Sequence, residues 1–143
     1  MDERFSTCLA EGKLVKIGLQ QDLVQKEFDG AEFDLKTAQT SLSEKNHKWA
    51  SVQAYYSMFH TAKALVLSKG YREKNHYCLR IALKALFIDI HLLESKYIER
   101  LRDSMNLCED ADYGLIYSDN SAKEAVAWAA EFLQEAKKLI KGK

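Results

Sequence analysis

Tyr56, His60 and Lys63 stand at i, i+4 and i+7, so on a helix they share one face. Together they offer a π surface, a titratable imidazole and a cation, a set able to hold a nucleobase and a phosphate. The plainer alternative puts Tyr56 in the core, with His60 and Lys63 reaching solvent at its edge. The densest basic cluster is Tyr71, Arg72, Lys74, His76 and Arg80, interrupted by the acid Glu73. Arg72 and His76 flank the expected start of a helix, where free amides favour an anion. The same residues also suit a solvated connector. Asp110, Asp112, Tyr113 and Tyr117 gather just before the last expected helix, where Asp and Gly equally suit an ordinary turn.

Other chemistries lack their residues. Glu73 and His76 make one ExxH pair, but a carboxylate-bridged diiron bundle needs two such pairs and two further inward glutamates. No metal and no cofactor is expected. There is no GxSxG, no phosphate-cradling glycine loop and no GxGxxG. Cys8, Cys78 and Cys108 are odd in number, widely spaced and without a CxxC. They are expected to be buried or incidental thiols in a reducing cytoplasm, not a disulfide framework or a zinc site.

These residues must be positioned by helices. The chain has no proline and six glycines, and proline is the strongest helix breaker. Its 143 residues suit one domain with a single core. Lys plus Arg and Asp plus Glu both total 21, so no global charge draws the chain to nucleic acid or an anionic membrane, and such a role needs a local patch. The opening MDERFSTCLAEGK lacks an apolar signal core. No apolar run is long enough to cross a bilayer, so no membrane association is expected.

Periodicity predicts four or five antiparallel helices in an up-and-down bundle over residues 29–143. Residues 1–28 are read as an N-terminal helical extension. The first clear helix spans Asp29 to Leu42, with Asp29 and Glu32 at capping-box spacing, or else starts near Asp22 and tolerates Gly30. The second spans His47 to Lys69 and stops at Gly70. It is apolar over so wide an arc that it belongs at the bundle centre. Asn75 is placed to cap a third helix that buries Leu79, Leu83, Leu86 and Ile90. A fourth aligns Ile98, Leu101, Met105 and Cys108. EDADYGLIYSDN then breaks the period. Ser121 and Glu124 form a capping box for the last helix, which buries Ala125, Ala129, Phe132, Ala136 and Leu139. No segment shows sustained strand alternation.

The block WASVQAYYSMFHTAKALVLSKGYREKNHYCLRIAL resembles the signature of HEPN proteins: Ala50, Ala54, Tyr55, Tyr56, Phe59, His60, Lys63, Ala64 and Leu65, then Gly70 and His76. EFDLKTAQTSL looks like the family's first bundle helix, and ADYG resembles a motif of one prokaryotic branch. The resemblance covers about residues 29–140. It implies a helix bundle, often dimeric and often encoded beside a minimal nucleotidyltransferase. Many such proteins are toxins that cut RNA through an R-x4–6-H motif, commonly extended as HxY. There the His acts as general acid/base and the Arg stabilises phosphate charge, and the Tyr can accept a nucleotide from the partner enzyme.

The sequence departs from that pattern at its centre. After Arg100 and Arg102 it reads DSMNLCEDADYG, with no histidine. Arg72 and His76 are separated by only three residues and lie in another connector. The first expectation is therefore a HEPN-like homodimer that binds a nucleotide, RNA or a nucleotidyltransferase-type partner, without the usual ribonuclease motif. Tyr56, His60, Lys63, Arg72 and His76 would contact the ligand, with Tyr113 as the other stacking residue and Asp112 positioning its loop. One alternative is a ribonuclease toxin with an atypical site at Arg102, Asp112 and Tyr113. The other is a pure protein-interaction module.

Overall fold

The computed structural model describes residues 2–114 and 118–141, the side chains of 107–114 and 141 excepted. Among these residues the chain forms helices α1 (Glu3–Ala10), α2 (Gln21–Ser43), α3 (His47–Ser68), α4 (His76–Leu83), α5 (Lys96–Gly114) and α6 (Asp119–Lys141). A π-turn over Lys84–Ile88 extends α4. Two short strands, β1 (Leu14–Lys16) and β2 (Tyr71–Glu73), pair antiparallel, with Val15 opposite Arg72. The all-helical class holds, with a small ribbon added that three-residue strands could not announce through alternation.

α3 is the central element and meets α2, α4, α5 and α6. Twelve of its residues are buried, from Ala50 to Leu67, as its wide apolar arc predicts. Small side chains let the neighbours approach: Ala31 and Ala38 on α2, Ala50 and Ala54 on α3, and Ala122, Ala129 and Ala136 on α6 are fully buried. Ser57 donates to the Ala31 carbonyl at 2.8 Å, which satisfies a buried hydroxyl across the α2–α3 seam. Phe5, Phe87 and Phe132 fill the remaining core. α5 is pinned to α6 by Glu131, which takes Lys96 at 2.8 Å, the Tyr97 hydroxyl at 2.9 Å and Arg100 at 3.2 Å.

Several local expectations are corrected. α2 begins at Gln21, the longer of the two extents considered, so Asp29 and Glu32 lie inside the helix and form no capping box. Ser118, not Ser121, caps α6, because its Oγ accepts from the Ser121 amide at 3.0 Å. α5 continues to Gly114, where a break was expected. Ile90 follows the π-turn and is exposed, since the turn's extra residue shifts the helical register. Asn75 caps α4 as expected, accepting from the Cys78 amide at 2.7 Å.

The largest correction concerns cysteine. Cys8 and Cys78 form a disulfide that closes 70 residues, with Cα atoms 5.9 Å apart. It staples α1 to α4. Sequence spacing conceals such a bond, because only folding brings the two helices together. Cys108 lies outside the described side chains.

Candidate functional site

The outer side of α3 gathers the candidate residues around Phe59. The His76 ring packs on the Phe59 ring at 4.5 Å between centroids, and the His60 ring lies at 6.1 Å. Lys63 Nζ stands 5.4 Å from the same centroid. His76 is oriented by Tyr55, whose hydroxyl lies 2.9 Å from Nδ1. The Tyr56 ring adjoins Tyr55 at 5.5 Å and is 49% exposed, so the reading that buried it in the core is wrong. Helical periodicity thus aligns Tyr56, His60 and Lys63, and the α3–α4 connection returns His76 to them.

α2 supplies the partners that set the charge. Glu27 Oε2 lies 2.6 Å from His60 Nδ1, and Glu27 Oε1 lies 3.6 Å from Lys63 Nζ. On the far side of the imidazole, Asp34 Oδ2 is 3.5 Å from Nε2. Gly30 lies between the two acids, and a Cβ placed there would stand 3.5 Å from the His60 ring. The Glu27 hydrogen bond raises the His60 pKa against the opposing effect of burial, helped by the charges of Glu27 and Asp34. Burial pushes the Glu27 carboxyl upward, but the His60 hydrogen bond and the Lys63 charge outweigh it and hold the pKa below the usual range. Burial raises Asp34, and the His60 charge offsets part of that. Glu73 is also raised by burial, which Lys63 eases.

The face is therefore a mixed-charge seam. His60 and Lys63 are matched by Glu27 and Asp34. An anion arriving here must compete with Glu27 for Lys63, whereas His76 faces solvent without a carboxylate beside it among the described residues. Arg72 sits exposed on β2 and meets the group through its field on Glu73. Glu73 belongs to that strand and precedes α4, so it shares no helix face with His76. Among the described residues no cluster of three His, Cys, Asp or Glu side chains could hold a metal.

Arg100 is committed to Glu131 and lies over the Trp128 ring at 5.3 Å. Arg102 projects outward from α5, 3.7 Å from Asp103. Asp112 and Tyr113 fall in the last turn of α5, and their side chains lie outside the described residues. Sequence reasoning missed Glu27 and Asp34. The available signal was their seven-residue spacing about Gly30, which puts both acids and the small residue on one helix face.

The α2–α3 hairpin packed with α6 around an alanine-lined seam defines an all-α bundle. The HEPN domain family model matches residues 24–139, and the chain belongs to that family. It is 30% identical over 119 residues to the Methanocaldococcus jannaschii protein named putative toxin MJ0605, covering 82% of this chain and 89% of that one. A second protein of that organism, putative toxin MJ0142, is 27% identical over 71% of this chain and 68% of its own length. The UPF0332 protein PH1297 of Pyrococcus horikoshii is 33% identical over 54% of this chain and 51% of its own. No helix among the described residues is long and apolar enough to cross a membrane.

Proposed function

We propose that this chain is the HEPN component of a toxin–antitoxin-type system, and that the outer face of α3 binds a nucleotide, free or within RNA. The carrying observation is the convergence of His60, Lys63 and His76 on the Phe59 ring. In this reading exposed Tyr56 stacks a base. His76 and Lys63 receive phosphate, Lys63 by exchanging Glu27 for the ligand, and Arg72 extends the cationic edge. The naming of two relatives as toxins supports the system-level assignment. Calorimetric titration of mononucleotides tests the site: Lys63→Ala and His76→Ala should each weaken binding, and equal affinity in all three proteins would remove these residues from it.

The expected partner is a nucleotidyltransferase-type protein, and the expected assembly is a homodimer. Phe33, Trp49 and Tyr56 support a docking face, being 67%, 50% and 49% exposed on the α2–α3 hairpin. Co-purification with the product of a neighbouring gene tests the partner. The cytoplasm is the expected compartment. There cellular thiols would act on the Cys8–Cys78 bond, making it a reversible one.

A second reading, cleavage of RNA, gains one observation. A histidine held by a carboxylate at 2.6 Å, with a second carboxylate near its other nitrogen, has the arrangement of a general acid/base. Incubation with total RNA separates the readings. Cleavage abolished by His60→Ala would place the proton carrier on α3, and loss on Arg102→Ala or Asp112→Ala would place the site on α5.

A further inference from the structure

We infer that α1, α4 and α5 form a groove that binds the phosphodiester backbone of a single-stranded nucleic acid, with the Cys8–Cys78 bond holding its α1 wall in place. The choice of nucleic acid rests on the nucleotide-binding reading above; the groove stands on its own geometry. It encloses about 340 Å³ and is lined by Arg4, Arg80, Lys84 and Arg102, with Tyr77 and one carboxylate, Glu99. Four cations converge there from three elements in a chain of zero net charge.

His76, Arg80 and Lys84 recur every four residues along α4 into the π-turn, so they form one row of hydrogen-bond donors, two of them cations. The row spans about 12 Å, more than one phosphate group needs. Arg80 also borders the crevice beside Phe59 and His76, so the row runs on toward the α3 face. Tyr77 is 48% exposed at the groove and offers a stacking surface. A linear row of such donors beside an aromatic ring suits a chain of phosphates with bases better than an isolated anion.

Asp2 shows how an anion is received. Its carboxylate lies 2.8 Å from Arg4 and 3.7 Å from Lys84. Lys84 also takes Asp89 at 3.0 Å, and Arg102 takes Asp103 at 3.7 Å. These acids restrain the groove's affinity.

α1 precedes the span matched by the family model, so the groove adds to the shared bundle. A dithiol would open the bond by giving it two electrons and two protons: the S–S bond breaks, Cys8 and Cys78 become thiols, and the dithiol, oxidised in turn, closes to a disulfide. Arg4 would then lose its fixed place opposite Arg80.

Fluorescence anisotropy with a labelled oligouridylate of about 12 nucleotides tests the groove. Arg80→Ala and Arg102→Ala should each weaken binding about fivefold or more and lower the slope of log affinity against log salt by about 1. Asp2→Asn keeps a helix-capping side chain and removes the restraining charge, so it should tighten binding about threefold. Dithiothreitol and Cys8→Ser should weaken it, with thermal melting of every protein confirming a folded bundle. Unchanged affinity in Arg80→Ala and Arg102→Ala, or no tightening in Asp2→Asn, would overturn the groove. If oligonucleotide binding falls only with Lys63→Ala, the groove fails and the α3-face reading stands. If the groove variants respond as expected while Lys63→Ala leaves mononucleotide binding intact, the groove stands and that reading fails.

Discussion

His60 Nδ1 lies 2.6 Å from Glu27 Oε2 across the α2–α3 seam. This contact joins two helices and sets the charge of the face that carries the candidate site. The His60 pKa is raised above its ordinary 6.5, and that of Glu27 is lowered below 4.5. A raised imidazole contributes stability that is complete below 6.5 and is lost as pH climbs through its folded value. A lowered carboxyl contributes stability that is complete above 4.5 and is lost as pH falls through its folded value. The pair should therefore stabilise the fold most between these limits. Glu27→Gln should reduce stability most near pH 5.5 and progressively less toward pH 8, as followed by denaturant unfolding. In the same variant the His60 imidazole should titrate at lower pH by proton NMR. A stability difference independent of pH would contradict the assignment.

Two glycines should respond oppositely to alanine. Gly30 is helical, and a Cβ there makes ordinary contact with the His60 ring at 3.5 Å. Gly30→Ala should stabilise by about 0.5–1 kcal/mol through helix propensity. Gly70 has φ +87°, and an added Cβ would stand 3.4 Å from the Gly18 backbone. Its carbonyl also accepts from the Ile17 and Gly18 amides at 2.8 and 3.1 Å. Gly70→Ala should cost about 1–2 kcal/mol or more. Chemical denaturation of both variants checks the opposite signs.

The Cys8–Cys78 bond closes a separation of 70 residues, which in the chain-entropy view contributes about 2–4 kcal/mol. Adding dithiothreitol should lower the melting temperature by several degrees. Cys8→Ser should show the same melting temperature with and without reductant. A wild-type melting temperature indifferent to reductant would contradict the bond's contribution.

Phe33 and Trp49 are exposed on the α2–α3 hairpin. If this face joins two copies of the chain, Trp49→Glu should shift sedimentation toward monomer without lowering thermal stability below that of the isolated bundle. Unchanged mass in Trp49→Glu and Phe33→Glu would exclude the face as a dimer contact.

The helical core was legible in α6, where Ala125, Ala129, Phe132 and Ala136 are buried as spacing predicts, and in the wide apolar arc that put α3 at the centre. The stretch before Asp29 was opaque for a physical reason. Its residues act through distant partners: Cys8 through Cys78, Val15 through Arg72, and Glu27 through His60. The three-residue strands are too short for alternation to register. In the site, the α3 residues could be aligned from spacing alone. Glu27 and Asp34 share a face by spacing too, but that this face meets His60 and Lys63 was not legible, because helix pairing decides which faces meet.

The four imidazoles of the chain offer the most direct test of the central claim. His60 and His76 flank Phe59, while His47 is bound to Asp119 at 3.2 Å and His91 follows the π-turn. When a mononucleotide is titrated into the protein and the imidazole NMR signals are assigned, those of His60 and His76 should move together and saturate with one affinity. Those of His47 and His91 should stay in place. Movement confined to His47 or His91, or no movement of His60 and His76 at saturating nucleotide, would contradict the account.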